Sequence, residues 1–473
     1  MPATDRLSGR ALGALLVLCG AIFLEGIDVA MLNVALPSIR ADLGLSTGML
    51  SGVVSAYVLG YGGFLLLGGR AADLLGRRRM FLLWLGVFLV FSGLGGFATE
   101  GWVLLVARFV TGVAAGFMTP AGLSLITTTF AEGRQRNRAL LVYAGTASAG
   151  FALGLVIGGL LTAIGWRWVF FAPVVLSLVL LLVAIPVLKE PAVDRRPVGG
   201  FDLAGAGCVT GAMMLLAYGV VRLEHPGEGL ALTAGVFAGG LALLAAFVVI
   251  ERRSAAPLVR LGLLRSGPLV RANLAALLLT SSFFGFQFLI TLYLQELRGW
   301  SALQTGLALI AAAADVMLAP LLTPWLVNRY GNARVVLGGL LIGLVGYGLF
   351  LGVGLDWTYA AMLPSMLLIG TMFAFVYGPL TIAATDGVAE HEQGLAGGLI
   401  NTSFQFGAAL GLSAVTAVSV AVLGAGDSPQ AGLDAIRTAL AVPVAATLLA
   451  VVVVAFGVRE RVAPPSERLA VKA

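Results

Sequence analysis

The chain has 473 residues, 59% hydrophobic and 11% charged, where a soluble domain carries about 25% charged residues, so it has too little polar surface to be a soluble protein. Its 64 glycines follow no strict period, which excludes a collagen-like chain, and the apolar content excludes a disordered one. The net charge of +6 is read as arginines that set membrane topology rather than as a nucleic-acid footprint, and two cysteines and two histidines, all far apart, offer neither a disulfide framework nor a metal site.

A membrane helix needs about 20 apolar residues. Fourteen such runs are predicted, near 11–36, 48–69, 80–98, 102–122, 139–164, 168–188, 203–221, 230–250, 273–295, 303–326, 333–354, 358–383, 396–424 and 438–458. The first is long enough to span and is expected to be a retained helix rather than a cleaved leader. With both termini in the cytoplasm, cytoplasmic segments hold 23 of the 29 Lys and Arg residues and external loops hold five. That bias predicts an even number of crossings with cytoplasmic tails.

Span one contains EGIDVAMLNVALP, residues 25–37. An ionised acid at mid-membrane is costly and marks a functional site. Glu25 and Asp28 are three residues apart and share a helix face, an arrangement suited to a group that takes up and gives back a proton. Asp28 is eight residues from the predicted external end of span one, about 12 Å, and Arg108 six residues from the start of span four, about 9 Å. Two opposite charges at similar depth are expected to pair, because either alone is expensive.

Between spans two and three lies GGRAADLLGRRR (68–79), and between spans ten and eleven PWLVNRYGNAR (324–334). Aligning Gly76 on Gly331 puts Asp73 on Asn328 and Arg79 on Arg334, an offset of 255 residues. A six-helix unit accounts for about 190 of these, and spans seven and eight fill the remainder. The predicted fold is all-α and polytopic: a six-helix bundle over 1–190, two additional helices with linkers over 191–262, and a second bundle over 263–473. Two related halves with a site between them is a common transporter plan.

These stretches resemble the major facilitator superfamily, in its fourteen-helix drug:proton antiporter branch, over nearly the whole chain. Gly69-Arg70-Ala71-Ala72-Asp73-Leu74-Leu75-Gly76-Arg77-Arg78-Arg79 is similar to the family's loop motif, in which Gly69, Asp73, Gly76, Arg77 and Arg78 would act as a gate. Arg108-Phe109-Val110-Thr111-Gly112 resembles the R-x-x-q-G motif, with threonine in the glutamine position. GFALGLVIGG (150–159) resembles the antiporter motif, keeping Gly150, Gly154, Gly158 and Gly159 for helix packing but carrying Leu155 where the family usually has proline. The resemblance also implies acids in spans one and ten. Asp315, the only acid inside the core of the second half, joins Glu25, Asp28 and Arg108 as the expected proton-coupling set.

Only two lysines occur, Lys189 and Lys472, and neither follows a glycine, so no phosphate-binding loop is present. An ion gradient is the expected energy source, without a cofactor. Protons match the carboxylates, and sodium is the other possibility. Asn33, Tyr57, Tyr61, Gln287, Tyr293, Asn401 and Gln405 are expected to line a cavity for an amphipathic organic molecule. The leading expectation is proton-coupled efflux of hydrophobic or cationic drugs across the cytoplasmic membrane by a monomer. The alternatives are a dedicated exporter or flippase for one endogenous metabolite or lipid, and a membrane enzyme or sensor. No nucleophile–base constellation or soluble domain favours the last.

Overall fold

A computed structural model describes all residues except 1–8, 131–133, 190–202, 223–228, 255–265, 314, 386–387, 389–392, 424–427 and 463–473. Uninterrupted apolar runs make long helices, because inside a bilayer each backbone polar group must bond within its own segment. α1 (Gly9–Leu43) is 35 residues long, about 52 Å at 1.5 Å per residue. It continues past Pro37 and stops at Gly44, whose φ of +64° suits glycine. The helix therefore outruns the predicted end near Leu36. Ser46 caps α2 (Thr47–Leu75) by accepting from the Met49 amide. Gly76, at φ +102°, turns the chain into α3 (Arg77–Gly96).

The chain continues as α4 (Gly101–Thr129), α5 (Arg134–Ile164), α6 (Trp168–Val187), α7 (Leu203–Arg222), α8 (Leu230–Arg253) and α9 (Gly267–Leu292). A π-helical turn, Tyr293–Leu297, ends α9. The predicted single span 303–326 is instead broken. A capping box of Ser301 and Gln304 starts α10 (Ala302–Leu309), a 3₁₀ turn covers Ile310–Ala313, and α11 (Asp315–Tyr330) follows. The remainder is α12 (Asn332–Phe350), α13 (Tyr359–Thr385), α14 (Gln393–Leu423), a short α15 (Pro429–Ala439) and α16 (Ala441–Val462). Among the described residues, twelve stretches are helical, long and apolar enough to cross a membrane, and no strand occurs.

Helices α1–α6 pack on one another, chiefly α1 on α5 and α6, α2 on α4, and α3 on α4 and α6. The second group repeats that scheme: α9 on α14 and α16, α10–α11 on α13, and α12 on α13 and α16. Gly331, which opens α12, repeats the positive φ of Gly76. α7 and α8 pair with each other, and α7 lies against α2 and α14, where the Thr210 hydroxyl donates to the Gly63 carbonyl at 2.8 Å.

Polar contacts bridge the two groups at the end that carries Gly44. Arg40 pairs with Glu296 at 3.0 Å, and Gln295 Nε2 donates to the Val34 carbonyl at 2.8 Å. Below them α5 and α10 meet backbone to backbone: a Cβ on Gly159 would fall 2.6 Å from Leu303 Cα, and one on Gly306 would strike the Leu155 carbonyl. At the Gly76 end Arg10 and Arg78 bond inside their own group, to the carbonyls of Pro186 and Val187 and of Ile185 and Leu188.

Candidate functional site

Small residues bring α5 onto α1 and α4 onto α2. On α5, Cβ atoms at Gly150, Gly154 and Gly158 would lie 2.7 Å from the Phe23 carbonyl, 2.9 Å from Ile27 Cα and 2.6 Å from Met31 Cα. The glycine ladder of the antiporter-like motif thus lies on the backbone of α1. On α4, Gly112 touches the Tyr57 carbonyl and Gly116 the Tyr61 carbonyl of α2. Between these two pairs the polar side chains of α1, α2 and α4 meet.

Arg108 Nη1 donates to Asp28 Oδ2 at 2.5 Å, and both residues are 2% exposed. The pairing expected from depth is present. The guanidinium also lies over the Tyr57 ring, 4.3 Å from its centroid, a cation–π contact in a dry setting. Asp28 and Arg108 neutralise each other.

Glu25 has a different environment. It is 5% exposed, and no cation lies within ion-pair distance of it among the described residues. Its partners are hydroxyls: Thr119 Oγ1 at 2.8 Å from both carboxyl oxygens, and the Tyr61 hydroxyl at 3.2 Å from Oε2. Those two hydroxyls are 2.9 Å apart. A hydroxyl either donates or accepts, so this cradle satisfies the carboxyl whether it is ionised or protonated. The two acids share a helix face, yet each is served by its own partners.

The other expected residues are dispersed. Asn33, Gln287 and Tyr57 are buried, and Asn33 Nδ2, Gln287 Oε1, the Tyr57 hydroxyl and Arg108 Nε have no hydrogen-bond partner among the described residues. Groups of this kind bond to water or a bound molecule. Tyr293 is set apart, its hydroxyl donating to the Gly354 carbonyl at 2.6 Å beside Arg298 at the Gly44 end. Asn401 bonds back to Gly397 in its own helix, and Gln405 packs on Gly62 across the seam of α2 and α14. Asp315 opens α11 directly after the broken turn; its side chain, like that of Asp73, lies outside the described residues. Of the gate-like motif, Gly69 lies along α2, Gly76 forms the turn, Arg77 reaches the Ser124 carbonyl at 3.5 Å, and Arg78 caps the end of α6. Gly159 faces α10 rather than α1.

Thr119 escaped the sequence reading. The available signal was its place on α4, eleven residues and so about three turns beyond Arg108, on a helix already expected to approach Asp28.

A family model described as Major Facilitator Superfamily matches residues 18–412. The chain belongs to this superfamily. It is 39% identical to the cephamycin export protein CmcT of Amycolatopsis lactamdurans, covering 89% of this chain and 87% of that one. It is 34% identical to the puromycin resistance protein pur8 of Streptomyces alboniger, covering 89% and 85%. A solved bacterial homologue of the human lysosomal transporter Spinster, inward-facing and occupied, has the same fold at a TM-score of 0.69 with 17% identity, covering 96% and 98%. The superfamily member is a multi-pass membrane transporter rather than an enzyme, and its relatives include proteins named for antibiotic export, antibiotic resistance and multidrug efflux.

Proposed function

We propose that this superfamily member exports hydrophobic or cationic antibiotics across the cytoplasmic membrane, exchanging them for protons by alternating access. The observation that carries the reading is Glu25: a buried carboxyl with two hydroxyl partners and no cation, beside an acid that Arg108 already neutralises. Protonated, such a group is neutral and hydrogen-bonded; ionised, it keeps its hydroxyl bonds but has no counter-charge, a cost relieved by regaining a proton or by a cationic cargo. Asp28 and Arg108 hold the neighbouring charges fixed, and Asp315 is the corresponding acid in the second half.

The chain crosses fourteen times in this reading, the twelve long spans being joined by α7 and by the broken α10–α11. The units are 1–190, 191–262 and 263–473, and both termini are cytoplasmic. The bridged Gly44 end is then external. The Asp73 motif gates the cytoplasmic end, and Asn33, Tyr57, Tyr61, Gln287 and Asn401 contribute polar groups toward cargo. The transporter works as a monomer, without a cofactor, on the proton gradient. A second reading, a dedicated exporter of one metabolite, is favoured by relatives whose names each specify a single antibiotic.

Everted vesicles with an acidified lumen and a pH-sensitive dye test the proposal, with ethidium and puromycin as cargo. Addition of cargo is expected to release protons in wild type. Glu25→Gln is expected to abolish release, and Asp28→Asn and Asp315→Asn to weaken it. Normal efflux from cells with no proton release for either compound would remove proton antiport. Response to puromycin alone would select the dedicated exporter.

A further inference from the structure

We infer that the Thr119 hydroxyl follows the proton on Glu25 and passes its state to α4, an inference that rests on the proton-carrier reading of Glu25. Thr119 Oγ1 lies 2.8 Å from both Glu25 oxygens, 2.9 Å from the Tyr61 hydroxyl and 2.9 Å from the carbonyl of Ala115, one turn back in its own helix. A hydroxyl has one hydrogen. It serves either Glu25 or Ala115, never both fully.

An ionised Glu25 only accepts, so the Thr119 hydrogen turns toward it. A protonated Glu25 carries its own O–H, which donates to Thr119 Oγ1, and the Thr119 hydrogen swings to the Ala115 carbonyl. When Glu25 gives its proton to water, the Thr119 hydrogen swings back. One proton leaves, one O–H bond breaks in the carboxyl, and the heavy atoms of Thr119 stay where they are.

The position of that hydrogen matters because of the next residue. Pro120 lies inside α4 and has no N–H, so the Gly116 carbonyl lacks its in-helix donor and the helix is weakest at this turn. A threonine that bonds back to the i−4 carbonyl bends a helix. α4 therefore carries a switchable bond one residue before its weakest turn. The same helix holds Asp28 through Arg108 and touches α2 through Gly112 and Gly116, so a change in its bend reaches both neighbours.

The titratable groups around Glu25 are Asp28 on α1, Tyr57 and Tyr61 on α2 and Tyr143 on α5, with Cys19 beyond Tyr143; Arg108 on α4 is committed to Asp28. The Tyr61 hydroxyl bonds to Glu25 and Thr119. Thr119 alone of the two hydroxyl partners also reaches a helix carbonyl.

The test compares Thr119→Val, Thr119→Ala and Thr119→Ser with wild type and Glu25→Gln, as full-length protein. Cargo-induced proton release in vesicles is measured together with ethidium and puromycin binding to purified, monodisperse protein. Thr119→Val and Thr119→Ala are expected to lower proton release by about tenfold or more, the size of one hydrogen bond to a charged group, with cargo Kd unchanged. Thr119→Ser is expected to restore release. Wild-type release in Val and Ala, with release lost in Glu25→Gln, would overturn the inference and leave the carrier reading standing. Serine as impaired as valine would overturn it too, assigning the effect to the methyl group. Undiminished release in Glu25→Gln would remove the carrier reading and this inference with it.

Discussion

Arg108 and Asp28 stand or fall together. Removing one member of a buried ion pair leaves an uncompensated charge and costs about 3–5 kcal/mol, whereas replacing both with apolar groups is often nearly neutral. Arg108→Leu is expected to lower the melting temperature of the purified protein strongly, and Asp28→Leu combined with Arg108→Leu to recover most of the loss while transport stays defective. A double variant as unstable as the sum of the single ones would show that the pair is not coupled. At this scale the Asp28–Arg108 pair was readable, because both charges stand in apolar runs. Depth alone aligned Asp28 with Arg108, because a helix rises by a fixed step per residue. Thr119 stood out less, because a hydroxyl in a membrane helix is commonplace and its side-chain partners lie on α1 and α2. The uncharged cavity residues were hardest to place. Tyr293 and Gln405 serve packing contacts within or between bundles, and their composition does not distinguish those uses.

The helices approach one another through glycine, and the approach differs sharply from place to place. Gly112 has no room for a methyl group against the Tyr57 carbonyl, whereas Gly145 on α5 has nothing within 4 Å of its hypothetical Cβ among the described residues. Gly112→Ala is therefore expected to destabilise the protein through α2 and α4. Gly145→Ala should be neutral or should gain up to about 1 kcal/mol, because alanine is the better helix former. Equal melting temperatures for the two variants in thermal unfolding by intrinsic fluorescence would refute the close approach. Apolar length made most helices legible, down to the turn at Gly76. It failed at span ten, where IAAAAD gives no breaker and the 3₁₀ turn sits with the Ala312 carbonyl close to Gly370 of α13. It failed again at the π-helical turn after α9, whose geometry is bound up with contacts to residues far along the chain.

The two groups of helices are fastened at one end by a partly exposed ion pair and by bare backbone. Arg40 and Glu296 are each about one-third exposed, and a pair of that kind contributes about 0–1 kcal/mol. Glu296→Gln is accordingly expected to shift the balance between closed and open Gly44 ends by no more than about fivefold. Spin labels at Ser46 and Ser428, exposed positions at that end, would report it as a growing long-distance population in pulsed electron spin resonance. A complete collapse of the closed population would mean that the ion pair, not the helix packing, holds this end shut. The packing itself is a joint without side chains at its tightest points, Gly159 on Leu303 and Gly306 on Leu155. Such a joint works like the seat of a valve: it tolerates no grit. A single bulky residue inserted at Gly306 would hold the seat ajar, giving a transporter propped toward the opposite face, a form that could be captured and studied without any ligand to trap it.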